Sequence, residues 1–248
     1  MKLLILLLII PNVYCGIINN FTVLPNNTIY IAHTKNSVIY EKTSTSIDPT
    51  PIVGEEGFHI NDDGPRPTQP ERSTKFRLYR PTSIINNLRN DIYFVNNDKY
   101  IIYFNKFKST VQSIKIYNNH NPIANVIANI TTNASNNLYV ANYSAGKSTI
   151  YKFNYINSVT FNKTDHEEVI INEEIKAINY VNENINVITN KNYYKYSLNL
   201  DNIQETATDK IKSENNTNKL KDIQDFVIDE NFEIGYLAFQ ERLKWFYF

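Results

Sequence analysis

Residues 136–154, NNLYVANYSAGKSTIYKFN, decide the fold because they admit two interpretations. Runs of β-branched and aromatic residues flank a short polar segment, which is the pattern of a β-hairpin. The central AGKST also resembles the end of a phosphate-binding loop, which requires the spacing G-x-x-x-x-G-K-S/T. Counting back from Gly146, the first glycine of that loop would stand at position 141, which is Ala141. The sequence therefore favours a hairpin over a nucleotide site.

The same hairpin recurs along the chain. One strand begins after a polar turn at Ile92, Leu138, Ile185 and Phe232, which lie 46, 47 and 47 residues apart, and an earlier copy begins at Ile29. A further apolar strand precedes most copies, and a fourth follows some of them. The strand after each turn is rich in tyrosine and isoleucine and comprises residues 37–40, 100–104, 149–153, 193–196 and 243–246.

Four short antiparallel strands every 40–50 residues or so are typical of a β-propeller blade. We predict an all-β chain that folds as a β-propeller of five to six four-stranded blades. Both a complete and an incomplete ring are compatible with the sequence, because the last copy of the repeat ends at Phe248 after its third strand. Residues 17–24 either complete the last blade or begin the first. A β-sandwich is the alternative, but nothing in a sandwich requires one pattern to recur at 47 residues.

The amino terminus predicts secretion. Residues 1–15 contain Lys2, an apolar run, and Val13 and Cys15 at the −3 and −1 positions of a signal-peptidase site. We predict cleavage before Gly16 and one extracellular propeller domain over residues 16–248. No other apolar run approaches the roughly 20 residues that cross a bilayer, so no membrane span is predicted. The mature chain has no cysteine, so its core must stabilise it without disulfides.

A Pro-rich insertion at about 45–82 separates the first two copies. Because proline and glycine resist helix and sheet, we interpret it as an exposed loop, with residues 75–79 as an outer strand. The charged stretch at 209–221 is the one helical candidate in the mature chain.

The titratable residues predict no catalytic site, no cofactor and no metal. The chain has 25 basic and 25 acidic residues, so nothing indicates nucleic acid as a partner. No nucleophile motif occurs, and the histidines (His33, His59, His120 and His166) fall at unrelated positions in the repeat. Acidic residues 165–168 could bind a metal weakly. Calcium is conceivable at Glu173, Glu174, Asp222 and Asp225, which lie near the starts of apolar strands.

Seven N-x-Ser/Thr sequons follow the leader and are predicted glycosylation sites. Because Asn is abundant in this chain, several sequons would arise by chance. The seven are Asn20, Asn26, Asn129, Asn133, Asn142, Asn162 and Asn215.

The recurring pattern N-x-L/I-Y-V, followed by x-I-Y-K-F-N behind a signal peptide, resembles regucalcin and gluconolactonase-type propellers. Among these it is most similar to the secreted ommochrome-binding proteins of moths, whose blade rhythm residues 223–239 share. The resemblance covers residues 84–248. It implies a six-bladed propeller that binds a small hydrophobic pigment derived from tryptophan. The early metal-binding acidic residue of the enzymatic relatives has no evident counterpart here.

These observations together predict a secreted, non-enzymatic binding protein for a small aromatic or hydrophobic ligand such as an ommochrome-like pigment. Two alternatives remain open. One is an extracellular protein-interaction propeller, such as a host-directed effector. The other is a metal-dependent lactonase.

Overall fold

The computed structural model describes twelve parts of the chain. They are residues 18–24, 26, 28–55, 67, 69–87, 89–117, 126–189, 191–207, 212–213, 223–229, 234–239 and 242–247. These residues form twenty-two β-strands and one short 3-10 helix, arranged in five sheets. The signal peptide, Asp222, Phe232 and Asn215 lie outside the described residues.

Two of the sheets belong to a first compact unit, which consists mainly of residues 1–113. The first sheet contains, in this order, β1 (Ile18–Val23), β2 (Ile29–His33), β3 (Val38–Lys42) and β4 (Thr50–Val53). The second sheet has the order β5-β9-β8-β7-β6. Its strands are β5 (Glu71–Arg72), β6 (Pro81–Asn86), β7 (Ile92–Asn96), β8 (Tyr100–Asn105) and β9 (Thr110–Ser113).

A second compact unit, which consists of residues 114–239 and 244–248, contains the third and fourth sheets and most of the fifth. The third sheet has the order β10-β14-β13-β12-β11, with β10 (Lys115–Tyr117), β11 (Val126–Thr132), β12 (Leu138–Ser144), β13 (Lys147–Asn157) and β14 (Thr160–Ile171). The fourth sheet runs in chain order through β15 (Ile175–Val181), β16 (Asn184–Thr189), β17 (Asn192–Tyr196) and β18 (Asn202–Ala207). The fifth has the order β19-β22-β21-β20, with β19 (Lys212–Ser213), β20 (Ile223–Asp229), β21 (Ile234–Phe239) and β22 (Arg242–Tyr247).

The repeat predicted from the sequence corresponds to these sheets. In each sheet the strand at the start of the meander (β1, β6, β11, β15 or β20) pairs antiparallel with the strand that follows it. We call these five strands the inner strands. Each contains one register shift near its beginning, so one residue is left out of the ladder. Such a bulge increases the local twist of a strand, and its recurrence marks the five sheets as copies of one unit.

Apolar side chains form one core in each unit. In the first unit, Tyr30, Leu78 and Phe94 are among the fully buried members, and β1 and β2 both pack against β6. In the second unit, Tyr139 and Ile185 are fully buried, and β15 packs against β11, β12 and β20. Burial of apolar area between neighbouring sheets contributes about 25 cal/mol per Å² and holds each unit together without disulfides.

The segment that opened the sequence analysis is a hairpin, as predicted. Residues 138–144 and 147–157 pair as β12 and β13, and Ala145 and Gly146 form the turn between them with φ of 49° and 82°. Two consecutive positive φ values are those of a type I′ turn, whose twist matches the flanking strands. β12 and β13 are the second and third strands of the antiparallel meander in the third sheet. The turn between them is followed by a strand and not by the helix that a phosphate-binding loop requires.

Two described parts of the Pro-rich insertion differ from the predicted exposed loop, and residues 56–66 and 68 lie outside the described residues. Residues 50–53 form the fourth strand of the first sheet. Phe76 and Leu78 are buried in the core of the first unit, because apolar side chains between the prolines anchor the segment there. The predicted outer strand at 75–79 is also wrong. Residues 73–75 form the 3-10 helix, and the outer strand is Glu71–Arg72, which pairs with β9.

Strand pairing in the first and fifth sheets answers two questions that the sequence left open: the role of residues 17–24 and the identity of the last strand of the fifth sheet. Residues 18–23 begin the first sheet and do not complete the last one. In the fifth sheet the outer position is taken by Lys212–Ser213, which pairs with β22. These two residues are the only described part of the helical candidate at 209–221, and they are extended.

Side chains are described for the first four sheets, whereas the fifth is described by its backbone. The described residues form no sixth sheet. No helix within the described ranges is long and apolar enough to cross a membrane.

Candidate functional site

Buried polar side chains occupy one equivalent position in four sheets. Four residues after the repeat positions Ile29, Ile92, Leu138 and Ile185, the second strand carries His33, Asn96, Asn142 and Thr189, respectively. None of the four is more than 3% exposed. All four lie where the second strand reaches the beginning of the inner strand, and we call this part of each sheet its polar end.

In the first unit, His33 lies at the polar end of the first sheet and Asn96 at the polar end of the second. The His33 Nδ1 atom accepts a hydrogen bond from the Asn36 N–H at 3.1 Å, and the His33 ring meets Tyr40 edge-on at 6.0 Å between centroids. Asn96 Oδ1 accepts from the Tyr79 N–H at 2.9 Å. The Nδ2 group of Asn96 has no hydrogen-bond partner among the described residues, although the residue is 0% exposed.

In the second unit, a carboxylate network lies at the polar end of the fourth sheet. Thr189 Oγ1 donates to Glu173 Oε2 at 2.6 Å, and Asn192 Nδ2 donates to Glu173 Oε1 at 2.9 Å. The Tyr194 hydroxyl donates to the same Oε1 at 3.2 Å. Burial, helped by the neighbouring Glu173 charge, raises the pKa of Tyr194 to about 12, so this hydroxyl stays a donor at neutral pH. The network ties the loop before β15 to the β16–β17 hairpin.

Asn142 is the polar residue of the third sheet. Its Oδ1 atom is buried and has no hydrogen-bond partner among the described residues. Ser148 lies close by on β13, next to Thr149, the cross-strand partner of Asn142. It is also fully buried, but its Oγ atom accepts the Ile175 N–H at 2.9 Å. Leaving a buried amide group unsatisfied costs about 1–3 kcal/mol, so a water molecule or a ligand that reaches Asn96 Nδ2 or Asn142 Oδ1 would be bound favourably.

The described side chains of the predicted acidic candidates are not brought together. Glu173 and Glu174 do lie just before an inner strand, but Glu174 pairs with Lys176 at 2.7 Å. Asp225 lies in β20 and residues 165–168 lie in β14, where side chains are described only for Glu168, which is exposed. Among the described residues, no three His, Cys, Asp or Glu side chains are grouped closely enough to hold a metal.

The predicted sequons differ in accessibility. Asn26 is exposed and Asn162 is partly buried. The other four described sequon asparagines are at most 4% exposed; they are Asn20, Asn129, Asn133 and Asn142. Two of them have structural roles. The Ile84 N–H donates to Asn20 Oδ1 at 2.6 Å, and Asn133 Oδ1 accepts from the Asn137 N–H at 2.9 Å.

Sequence reasoning missed the polar end. The signal was available, because aligning the five hairpins places a polar residue at the same position of four second strands. These strands are otherwise buried on both faces, as the fully buried β2 and β7 show. A polar residue in such a strand needs a partner, which is what makes the position informative.

Comparisons with known proteins identify the fold. No protein-family profile matches the chain, and no curated protein matches it in sequence. A gluconolactonase from Xanthomonas campestris matches its structure with a TM-score of 0.59 and 8% identity, over 91% of this chain and 70% of that one. Virginiamycin B lyase from Staphylococcus aureus matches with a TM-score of 0.50 and 11% identity, over 92% and 93%. The chain has the β-propeller fold.

A third similar structure is the extracellular domain of a hybrid two-component system from B. thetaiotaomicron, with a TM-score of 0.51 and 14% identity. The match covers 91% of this chain but 26% of that one, so this chain spans about a quarter of its length. At these identities the likeness shows the fold alone. The predicted resemblance to gluconolactonase-type propellers is confirmed at that level, and nothing supports the narrower resemblance to moth ommochrome-binding proteins.

Proposed function

We propose that this chain is an extracellular binding propeller that holds a small, uncharged ligand at the polar end of a single sheet. The observation that carries the proposal is that Asn96 Nδ2 in the first unit and Asn142 Oδ1 in the second are buried at the repeated position and that no described residue satisfies either of them. A ligand that offers an acceptor to Asn96, or one that offers a donor to Asn142, would remove the cost of leaving that group unpaired. Binding sites commonly combine apolar walls with a few such polar groups.

The neighbouring side chains support an aromatic or hydrophobic ligand. The Tyr40 ring meets His33 edge-on, which is the geometry in which aromatic groups attract each other. The side chains at this repeated position are amides, a hydroxyl and an imidazole, and none is a carboxylate or a lysine. A strongly charged ligand would therefore find no counter-charge in these four side chains, although the Glu173 carboxylate lies beside Thr189 in the fourth sheet.

Substitution of the amides tests the proposal. The protein is purified without added ligand, and bound small molecules are extracted and measured by absorbance and mass spectrometry. We expect Asn142→Leu or Asn96→Leu to lower the bound fraction at least tenfold. Asn142→Leu should do so without loss of stability, because leucine removes an unsatisfied polar group at similar volume, whereas Asn96→Leu should also destabilise the protein because it removes the acceptor of the Tyr79 N–H. The control is Asn202→Leu, which changes an exposed asparagine on β18. Unchanged ligand content in both variants, or no ligand and no binding in the parent protein, would contradict the proposal.

An ommochrome-like pigment remains the specific ligand that the sequence resemblance suggests. The chain has one tryptophan, Trp245 on β22, so its fluorescence reports binding of a pigment that absorbs the emitted light. Saturable quenching by an ommochrome, absent with a pigment of similar absorbance and unrelated structure, would support this choice.

A metal-dependent lactonase is the second candidate, favoured by the position of Glu173 just before an inner strand. The described residues do not fit a calcium site, because three protein donors already occupy the oxygens of Glu173 and calcium takes six to eight oxygen ligands. The test is lactone hydrolysis with and without calcium. Calcium-dependent activity that Glu173→Gln abolishes would favour the enzyme over the binding protein.

We also propose that the chain is secreted and that each of its five sheets is one blade of the propeller. The amino-terminal leader supports secretion, and one similar structure is an extracellular domain. Five sheets that share the same bulge support five blades. Amino-terminal sequencing of the secreted protein tests the first part, with Gly16 as the expected first residue.

A further inference from the structure

Two large apolar side chains are presented to solvent on neighbouring turns of the first unit. Ile47 is 86% exposed and lies in the connection between β3 and β4. Phe107 is 96% exposed and lies in the tight turn between β8 and β9. Both are third-to-fourth-strand connections, so both lie at the end of their sheets opposite to the polar end. We call these connections, residues 43–49 and 106–109, the turn surface.

The two connections are fixed beside each other by side chains of one strand. Lys106, which precedes Phe107, forms an ion pair with Glu41 of β3 and lies 5.7 Å from the centre of the Tyr30 ring. The next residue along β3, Lys42, donates from Nζ to the Ile47 carbonyl oxygen at 2.9 Å and also to the Ser46 carbonyl oxygen. The exposed side chains are therefore presented on fixed backbones, which lowers the entropy cost of contact with a partner.

The charges that remain on the turn surface have opposite signs on its two parts. Lys106 is neutralised by Glu41, which leaves Lys108 as the exposed cation next to Phe107. Asp48 is the exposed anion next to Ile47. Neither Lys108 nor Asp48 has an ion-pair partner among the described residues. One part of the surface is thus apolar and basic, and the other part is apolar and acidic.

We propose that the turn surface binds a second copy of the same chain. A twofold interface places each part of a surface against the other part of the same surface on the partner. Phe107 of one copy then packs against Ile47 of the other, and Lys108 faces Asp48, twice over. The balance of charge also argues against an anionic membrane, which attracts surfaces with a clear excess of lysine and arginine.

The dimer is expected to be weak. Stable interfaces use roughly 20–30 residues from each partner, and the two connections supply fewer. We therefore expect a dissociation constant in the range of micromolar to tens of micromolar. The interaction does not depend on the proposed ligand, since it uses the opposite end of the sheets.

Sedimentation equilibrium over a wide range of protein concentration tests the proposal. We expect a reversible monomer–dimer equilibrium in the parent protein and at least a tenfold weaker association in Phe107→Ser and Ile47→Ser. The control is Ile203→Ser, which removes an exposed isoleucine (55%) from β18 in the other unit and should leave association unchanged.

Charge reversal gives an independent second test. Lys108→Asp and Asp48→Lys should each weaken association because like charges then face each other across the axis, and the double variant should restore it. A parent protein that stays monomeric at several hundred micromolar, or a double variant that associates no better than either single variant, would overturn the proposal. A monomer that binds vesicles of anionic lipid through Phe107 would also overturn it and assign the surface to a membrane.

Discussion

At the scale of single residues, the tyrosine of the repeated N-x-I/L-Y pattern ties one sheet to the next. Tyr30 and Tyr139 are both fully buried at this position. The Tyr30 hydroxyl donates to Glu41 Oε1 at 2.8 Å, and Glu41 pairs with Lys106 in the turn between the third and fourth meander strands of the second sheet. Tyr139 donates to the Leu198 carbonyl oxygen at 2.8 Å, in the corresponding turn of the fourth sheet. The pattern recurs because the contact between sheets recurs.

Removal of one such hydroxyl should weaken the second unit. We expect Tyr139→Phe to lower the free energy of unfolding by about 1 kcal/mol. The ring remains packed, but the variant loses the bond from the hydroxyl to the Leu198 carbonyl oxygen and the longer bond that the hydroxyl accepts from Asn133 Nδ2 at 3.4 Å. Urea denaturation of the variant and of the parent protein measures the difference. Tyr143→Phe is the matched control, since Tyr143 is only partly buried and lies near the end of the same strand. Equal loss in both variants would show that the contact with Leu198 contributes nothing specific.

Two glycines with similar φ values allow the cost of backbone strain to be measured apart from the cost of steric crowding. Gly54 and Gly146 have φ of 88° and 82°, but a Cβ atom at Gly54 would lie 2.6 Å from the Ser37 carbonyl oxygen, whereas at Gly146 it would meet nothing within 4 Å. Both alanine variants suffer the strain of a positive φ, of order 1–2 kcal/mol. We expect Gly54→Ala to unfold at a clearly lower urea concentration than Gly146→Ala. Equal midpoints would mean that the backbone at Gly54 moves freely away from Ser37.

At the scale of strands and sheets, the periodic sequence pattern made the hairpins predictable, whereas the outer strands carry no such pattern and were not predicted. The second and third strands of each copy were found from the sequence because they are long, apolar and separated by turn residues. The outer strands β5, β10 and β19 have two or three residues each and pair with distant strands, so no local pattern marks them. Phe76 and Leu78 were assigned to an outer strand of an exposed loop and not to the core, because the proline content around them outweighed two apolar residues.

The candidate site was predictable only in part, for a related reason. Glu173 was singled out correctly as lying just before an inner strand. Its hydrogen-bond partners Thr189, Asn192 and Tyr194 come from a hairpin later in the chain, and only the register of that hairpin brings them to the carboxylate. The unsatisfied amides of Asn96 and Asn142 could not be recognised before burial was known, because asparagine in a sequence this rich in it carries no signal of its own.

The fourth sheet should make the protein sensitive to alkali. Burial raises the pKa of Tyr193 and Tyr194 to about 12, whereas an unfolded tyrosine ionises near 10. The folded state therefore holds these protons more tightly, so the stability they contribute is complete below pH 10 and is lost as the pH rises towards 12.

Urea midpoints measured between pH 8 and pH 11.5 check this expectation. The midpoint should fall steadily above pH 10 in the parent protein. Tyr193→Phe should show a shallower fall, because one of the shifted groups is gone. A midpoint that does not change up to pH 11.5 would contradict the buried environment of both hydroxyls.

At the scale of the whole molecule, a propeller can do without disulfides because each sheet buries its faces on its neighbours. The same packing limits where sugars can be attached. A glycan on a buried asparagine would have to fit into the core, so we expect occupancy at Asn26 and Asn162 but not at Asn20, Asn129 or Asn142.

Peptide mapping of the protein secreted from eukaryotic cells measures this. Enzymatic release of the glycans in heavy-oxygen water converts each occupied asparagine to a labelled aspartate, which mass spectrometry locates. Full occupancy at Asn142 would contradict both the burial of that side chain and its proposed role towards a ligand.

The most direct test of the whole account is a crystal structure of the secreted protein grown without added ligand. The account predicts propeller sheets with a bulge in each inner strand, and ordered non-protein density within hydrogen-bonding distance of Asn96 Nδ2 or Asn142 Oδ1. Strands stacked in two layers, or amides that bond only to other parts of the protein, would contradict it.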